Sequence, residues 1–116
     1  MNIPECVRIG SNYYEVELTD EPLILDNIVC RGLIEHYNHV ISISTNFGDI
    51  QQQEQTFLHE IVHGIVNERS INLKEDDEEF IVDEIAKGLH QVILDNPHMF
   101  LNFEFEGEEE NISEVE

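Results

Sequence analysis

Two stretches of helical periodicity fill most of the second half of this 116-residue chain, and each carries one apolar face that has to be buried. In the first, no Pro interrupts residues 49–69, and Asp49-Ile50-Gln51-Gln52 has the form of a capping box, with Asp49 at the N-cap and Gln52 reaching back. This predicts a helix starting near residue 50. At about 100° per residue, Phe57, Leu58, Ile61, Val62, Ile65 and Val66 share one half of its circumference. In the second stretch, residues 75–95, Ile81, Val82, Ile85, Ala86, Leu89, Val92 and Ile93 form the stripe, and Asn96-Pro97 stops the helix.

At the edge of the first stripe stands His59-Glu60-Ile61-Val62-His63, an H-E-x-x-H sequence. Residues four apart share a helix face, so both histidines can aim an imidazole nitrogen at one metal ion. Thr56, Asn67 and the small Gly64 lie beyond them, which predicts a helix approachable from that side. Zn²⁺ held by two histidines and one carboxylate keeps a position open for water and lowers its pKa from about 15.7 to about 7. Glu60 then stands beside the metal as the catalytic base. Short motifs do coincide by chance on solvated helix faces. Three correct residue types at the edge of a strongly periodic stripe favour a metal centre, and a hydrolase is the expectation.

A catalytic zinc usually takes three protein ligands. Glu79 lies at the edge of the second stripe as the histidines do of the first, so two helices packed through their stripes would bring it to the metal. Glu78, nearer the middle of the stripe, is the alternative ligand, and Asp83 is a candidate to orient a ligating histidine from behind. The rest of the acidic run in residues 75–79 is what a helix macrodipole favours in a first turn. His90 shares the Glu79 edge but sits about 16 Å further along at 1.5 Å per residue, too far for the same ion.

The H-E-x-x-H motif, followed after fifteen residues by Glu79-Phe80-Ile81-Val82-Asp83-Glu84-Ile85-Ala86, resembles the H-E-x-x-H and downstream E-x-x-A-N-x-F-A pattern of ImmA/IrrE-type metallopeptidases, especially their small phage and prophage members. The likeness covers roughly residues 30–96, with Val82 for the usual Ala and Asp83 for the usual Asn. It implies a minimal zincin-like domain: a short β-rich N-terminal part, the metal helix, then the helix bearing the third ligand. It also implies a phage or prophage origin, action in the host cytoplasm, and a protein substrate such as a regulatory repressor.

Ahead of the helices the period changes to two. Residues 6–10 and 13–18 alternate as strands about a turn at Gly10-Ser11-Asn12, and residues 29–34 and 40–44 are similar. An α+β fold is expected, with a small antiparallel sheet of three to four strands and residues 19–27 as an irregular connection. The strand at 40–44 immediately precedes the metal helix. It is either an edge for pairing with an extended peptide or an interior strand. Gly32 marks either a bulge or ordinary tolerance of glycine. His36 and His39 flank Tyr37-Asn38 in a turn and are expected in solvent. Met99-Phe100-Leu101, after Pro97-His98, is expected to close the core. Tyr13, Tyr14 and Tyr37 are read as packing residues, with no oxyanion donor assigned.

The chain suffices for a single domain, taken as residues 1–106, with residues 107–116 as a mobile acidic tail and Phe103-Glu104-Phe105-Glu106 as a last short strand. No stretch approaches the ~20 apolar residues of a membrane span, and no basic segment with an apolar core opens the chain. A soluble cytoplasmic protein is expected. Cys6 and Cys30 fit neither a disulfide framework nor a thiolate metal site, and free buried thiols are expected. With 26 acidic against 5 basic residues, the net charge of −21 disfavours direct binding of nucleic acid and favours basic protein partners. The same charge supports a rival reading: an acidic binding or inhibitor protein that mimics DNA, its metal structural or absent. The oligomeric state is left open.

Overall fold

The computed structural model describes residues 1–100. Residues 101–116, and with them the expected last strand, the acidic tail and Leu101, lie outside the described residues. The fold is α+β: six strands followed by two long helices, α1 (Ile50–Glu68) and α2 (Glu75–Asp95), then one 3-10 turn over Pro97–Met99. The strands are β1 (Cys6–Ile9), β2 (Asn12–Thr19), β3 (Leu23–Leu25), β4 (Ile28–Cys30), β5 (Gly32–Glu35) and β6 (Val40–Ser44).

Four strands form the main sheet in the order β1-β2-β6-β5, while β3 and β4 pair only with each other. The sheet is mixed rather than wholly antiparallel, because β6 runs parallel to β2, with Val16 opposite Ile41 and Leu18 opposite Ile43. The chain leaves β2, makes the β3-β4 excursion, lays down β5 and returns through a hairpin turn, which brings β6 into the gap beside β2. The expected strand at 29–34 is therefore two strands broken at Arg31, and the connection at 19–27 contains β3. Residues 40–44 do not form an edge. β6 is interior, Ile41 and Ile43 have no exposed surface, and the edge strand beside it is β5.

One face of the sheet receives α1. Ile9, Tyr14, Ile41, Ile43 and Phe57 form the main core cluster, with Ile34 and Ile61 packed against it. Complete burial of an Ile or Val contributes roughly 1.5–3 kcal/mol, so β6 alone accounts for a substantial part of the fold's stability. Gly64 lets the helix come close. A Cβ there would lie 2.8 Å from Ile9 Cδ1, so this glycine faces the sheet and not an open cleft. Tyr14 is pinned at the far end of α1, its hydroxyl donating to Glu68 Oε2 at 2.6 Å while Asn12 Nδ2 donates to both oxygens of the same carboxylate. Burial and the adjacent Glu68 push the Tyr14 pKa up to about 12, which keeps this hydroxyl a structural donor.

The helix starts follow local chemistry. Asp49 caps α1, its side chain accepting from the Gln52 backbone at 3.0 Å, but the Gln52 side chain turns away and accepts from Arg31 Nη1 at 3.2 Å. α2 has no side-chain cap. Its first turn instead holds Glu75, Asp76, Asp77 and Glu78, favourable at the positive end of the helix dipole. The two helices meet through Val62 and Val66 on α1 and Val82 on α2, with Leu73 beside them. α2's buried line is Val82, Ala86 and His90 rather than the whole expected stripe. Among the described residues α1 is the main element packed against α2, and Ile85, Leu89 and Val92 remain exposed. His90 Nε2 lies 3.0 Å from Glu54 Oε1, both side chains nearly sealed, and the Met1 amine stands 3.5 Å from the other Glu54 oxygen. Met99 and Phe100 are about half exposed and do not close the core. Among the described residues, no helix is long and apolar enough to cross a membrane.

Candidate metal centre

His59 and His63 project from α1 toward the first turns of α2, and their side chains retain only 19% and 12% exposure. Their Nε2 atoms converge on one carboxylate: His59 Nε2 lies 3.3 Å from Glu79 Oε1, and His63 Nε2 lies 2.7 Å from Glu79 Oε2. These three residues offer ligand atoms all within 4.8 Å of one another and could hold a metal ion. The donor set of two imidazoles and a carboxylate suits zinc, and ligand atoms on a tetrahedral zinc with ~2.0–2.1 Å bonds sit about 3.3 Å apart. The His59–Glu79 separation of 3.3 Å matches that value, while His63 and Glu79, at 2.7 Å, stand at hydrogen-bond distance.

The opposite ring nitrogens are also held. His63 Nδ1 is 2.7 Å from Glu78 Oε2, and His59 Nδ1 is 3.3 Å from Asp83 Oδ1. With the proton on Nδ1, each ring would donate to the carboxylate behind it and leave its Nε2 lone pair, made a better donor, free for a metal ion. Glu78, the alternative ligand, thus sits behind His63 rather than among the three donors. Asp83 is itself anchored by Lys87 at 2.8 Å, and the Lys87 ammonium holds its carboxyl below the usual range.

Glu60 is buried, 6% exposed, beside the histidines. Burial pushes its pKa up to about 7, against a lowering influence from His63, with Glu79 raising it further. A carboxyl with that value can accept and release a proton near neutrality. β5 makes room for it. A Cβ on Gly32 would lie 2.5 Å from Thr56 Cγ2 and 3.1 Å from Glu60 Oε2, so the glycine, in regular register with Ile43, is neither a bulge nor idle tolerance but a point of close approach between strand and helix. Gly32→Ala is expected to push α1 away from β5 and lower the melting temperature by several degrees, the size expected for an overpacking cost of about 1–3 kcal/mol. Thermal denaturation checks this, and an unchanged melting temperature would mean that Thr56 and Glu60 yield without cost.

The triad opens on a cleft of about 740 Å³ whose walls come from the β3-β4 hairpin, β5, α1 and α2. The sequence reading missed several of its residues. His36, expected in solvent, is half-buried and lines the cleft, its Nδ1 sealed without a partner; burial and then the neighbouring His63 lower its pKa. His39 is half-buried as well, its ring edge-on to Tyr14 at 5.0 Å. Arg31 and Lys87 line the cleft, as does Cys30. Cys6 is exposed rather than buried, and both cysteines are free. No local signal marks these residues for the cleft, since each is brought there by strand order.

No family model, curated protein or solved structure matches the chain.

Proposed function

We propose that this protein is a zinc-dependent metallopeptidase of the ImmA/IrrE type, phage or prophage encoded, acting on a protein or peptide substrate in the cytoplasm. The observation that carries the reading is the convergence of His59 and His63 Nε2 on the Glu79 carboxylate, with Glu78 and Asp83 holding the two Nδ1 atoms from behind. Zinc bound by those three side chains would supply Lewis acidity, acidifying water to a pKa of about 7 and polarising a carbonyl. The chain's own groups do the rest. Glu60 takes the proton from water as the nucleophile forms, then delivers it to the departing amine. Glu78 and Asp83 keep the imidazoles in the ligating tautomer. β5, the edge strand beside β6 among the described residues, lines the cleft and offers an edge along which an extended substrate can align. The acidic surface favours basic protein partners over nucleic acid.

Elemental analysis of protein purified without added metal tests the reading. About one zinc per chain is expected, lost in both His59→Ala and His63→Ala. Protein that is fully folded yet metal-free would favour the rival acidic binding module.

A further inference from the structure

The β3-β4 hairpin exposes four large apolar side chains in close succession: Ile24, Leu25, Ile28 and Val29 are each 52–65% exposed. A two-residue turn joins the strands, Asp26 and Asn27 both with positive φ (53° and 65°), the type I′ geometry that suits strand twist. The register is Leu23 with Cys30, Ile24 with Val29, and Leu25 with Ile28. Side chains alternate across a strand, so Leu25 and Ile28 share one face with Leu23 and Cys30, while Ile24 and Val29 occupy the other. The cleft agrees with this division: Leu25, Ile28 and Cys30 line it, and Ile24 and Val29 do not.

We infer that the inner face of this hairpin, Leu25 and Ile28, is the docking surface for an aliphatic side chain of an extended polypeptide substrate, held in the cleft between the hairpin and the His59-His63-Glu79 centre. The inference rests on the metallopeptidase reading and adds the class of substrate. Three observations commit the surface to that occupant. It is continuous with the cleft that holds the metal donors. β5, an edge strand among the described residues, lines the same cleft through Gly32, Leu33 and Ile34 and provides for the substrate backbone. Finally, a hairpin whose two strands pair only with each other among the described residues has little stability in isolation, so a bound side chain would cover apolar surface that those residues leave exposed.

The test uses zinc-loaded full-length protein and two small chelating probes, with binding measured by calorimetry. Acetohydroxamate reports on the metal alone, and isocaprohydroxamate differs from it only by an added isobutyl group. The larger probe is expected to bind about tenfold tighter or better, in line with what even one methylene is worth in an apolar pocket. That gain should disappear in the double variant Leu25→Asn/Ile28→Asn, survive in Ile24→Asn/Val29→Asn, and leave acetohydroxamate binding unchanged in both. On binding the larger probe, amide exchange in β3 and β4 should slow. If acetohydroxamate binds but the isobutyl group adds nothing, or its gain survives the Leu25/Ile28 change, the docking surface is overturned while the metal centre stands. The same holds if the inner-face substitutions leave the gain intact and instead dissociate a dimer, which would make the hairpin a contact between copies. Failure of acetohydroxamate to bind the zinc-loaded protein would show that the metal has no open position, which overturns the peptidase reading and the docking surface with it.

Discussion

Glu60→Gln is expected to abolish most peptide hydrolysis, a loss of about a hundred- to ten-thousandfold, while stoichiometric zinc is retained. The amide is nearly isosteric and fits the space that Gly32 leaves beside the helix, but it cannot accept the proton from water. The variant has a second signature in the metal-free protein. Below pH 4.5 the Glu60 carboxyl is neutral in folded and unfolded chains alike. As the pH rises toward about 7 the unfolded chain gives up this proton first, so the raised pKa stabilises the fold at low pH and that contribution is lost as the pH passes 7. At about 1.36 kcal/mol per unit, the loss is on the order of 3 kcal/mol. Metal-free Glu60→Gln should therefore be more stable than the parent above pH 7, by an amount that shrinks as the pH falls toward 4.5. Urea denaturation across that range measures the difference. A constant offset at all pH values would show that burial does not govern this carboxyl, and loss of zinc in Glu60→Gln would make it a ligand and not the base.

Glu79→Ala is expected to weaken zinc binding by about 100-fold or more, because it removes one of three donors. Glu78→Ala and Asp83→Ala should each cost about 10- to 100-fold, the usual consequence of freeing a ligating imidazole from the carboxylate behind it. Competition with a chromophoric chelator gives all three affinities on one scale. The order matters more than the values. If Glu78→Ala proves the most damaging and Glu79→Ala retains full affinity, the metal lies on the Nδ1 side of His63 and the assignment of the third donor is reversed.

The sequence by itself determined the two helices and the spacing of their functional side chains. Asp49 caps α1 where the capping pattern put it, and α2 spans residues 75–95 as its stripe and Asn96-Pro97 predicted. Capping, helical period and the i, i+4 placement of His59 and His63 operate within one element, so local sequence is enough to read them. Tertiary structure alone decided what faces what. Glu78 and Glu79 are adjacent and about 100° apart on the helix. Which of them meets the Nε2 atoms depends on how α2 crosses α1, and no local pattern carries that angle. Strand order is non-local in the same way: β6 became interior, β5 became the edge, and Gly32 came to rest against Glu60 only because the chain returned beside β2. His36 and His90, similar as isolated histidines, were separated by packing, one into the cleft and the other against Glu54. The β3-β4 hairpin is the largest departure from the sequence reading. The pattern predicts an irregular connection over residues 19–27 and one strand over residues 29–34, whereas a turn through two positive-φ residues pairs residues 23–25 with residues 28–30 and places the hairpin over the cleft. Burial depends on which surfaces meet, and a two-residue turn at Asp26-Asn27 was enough to change that for every side chain around it.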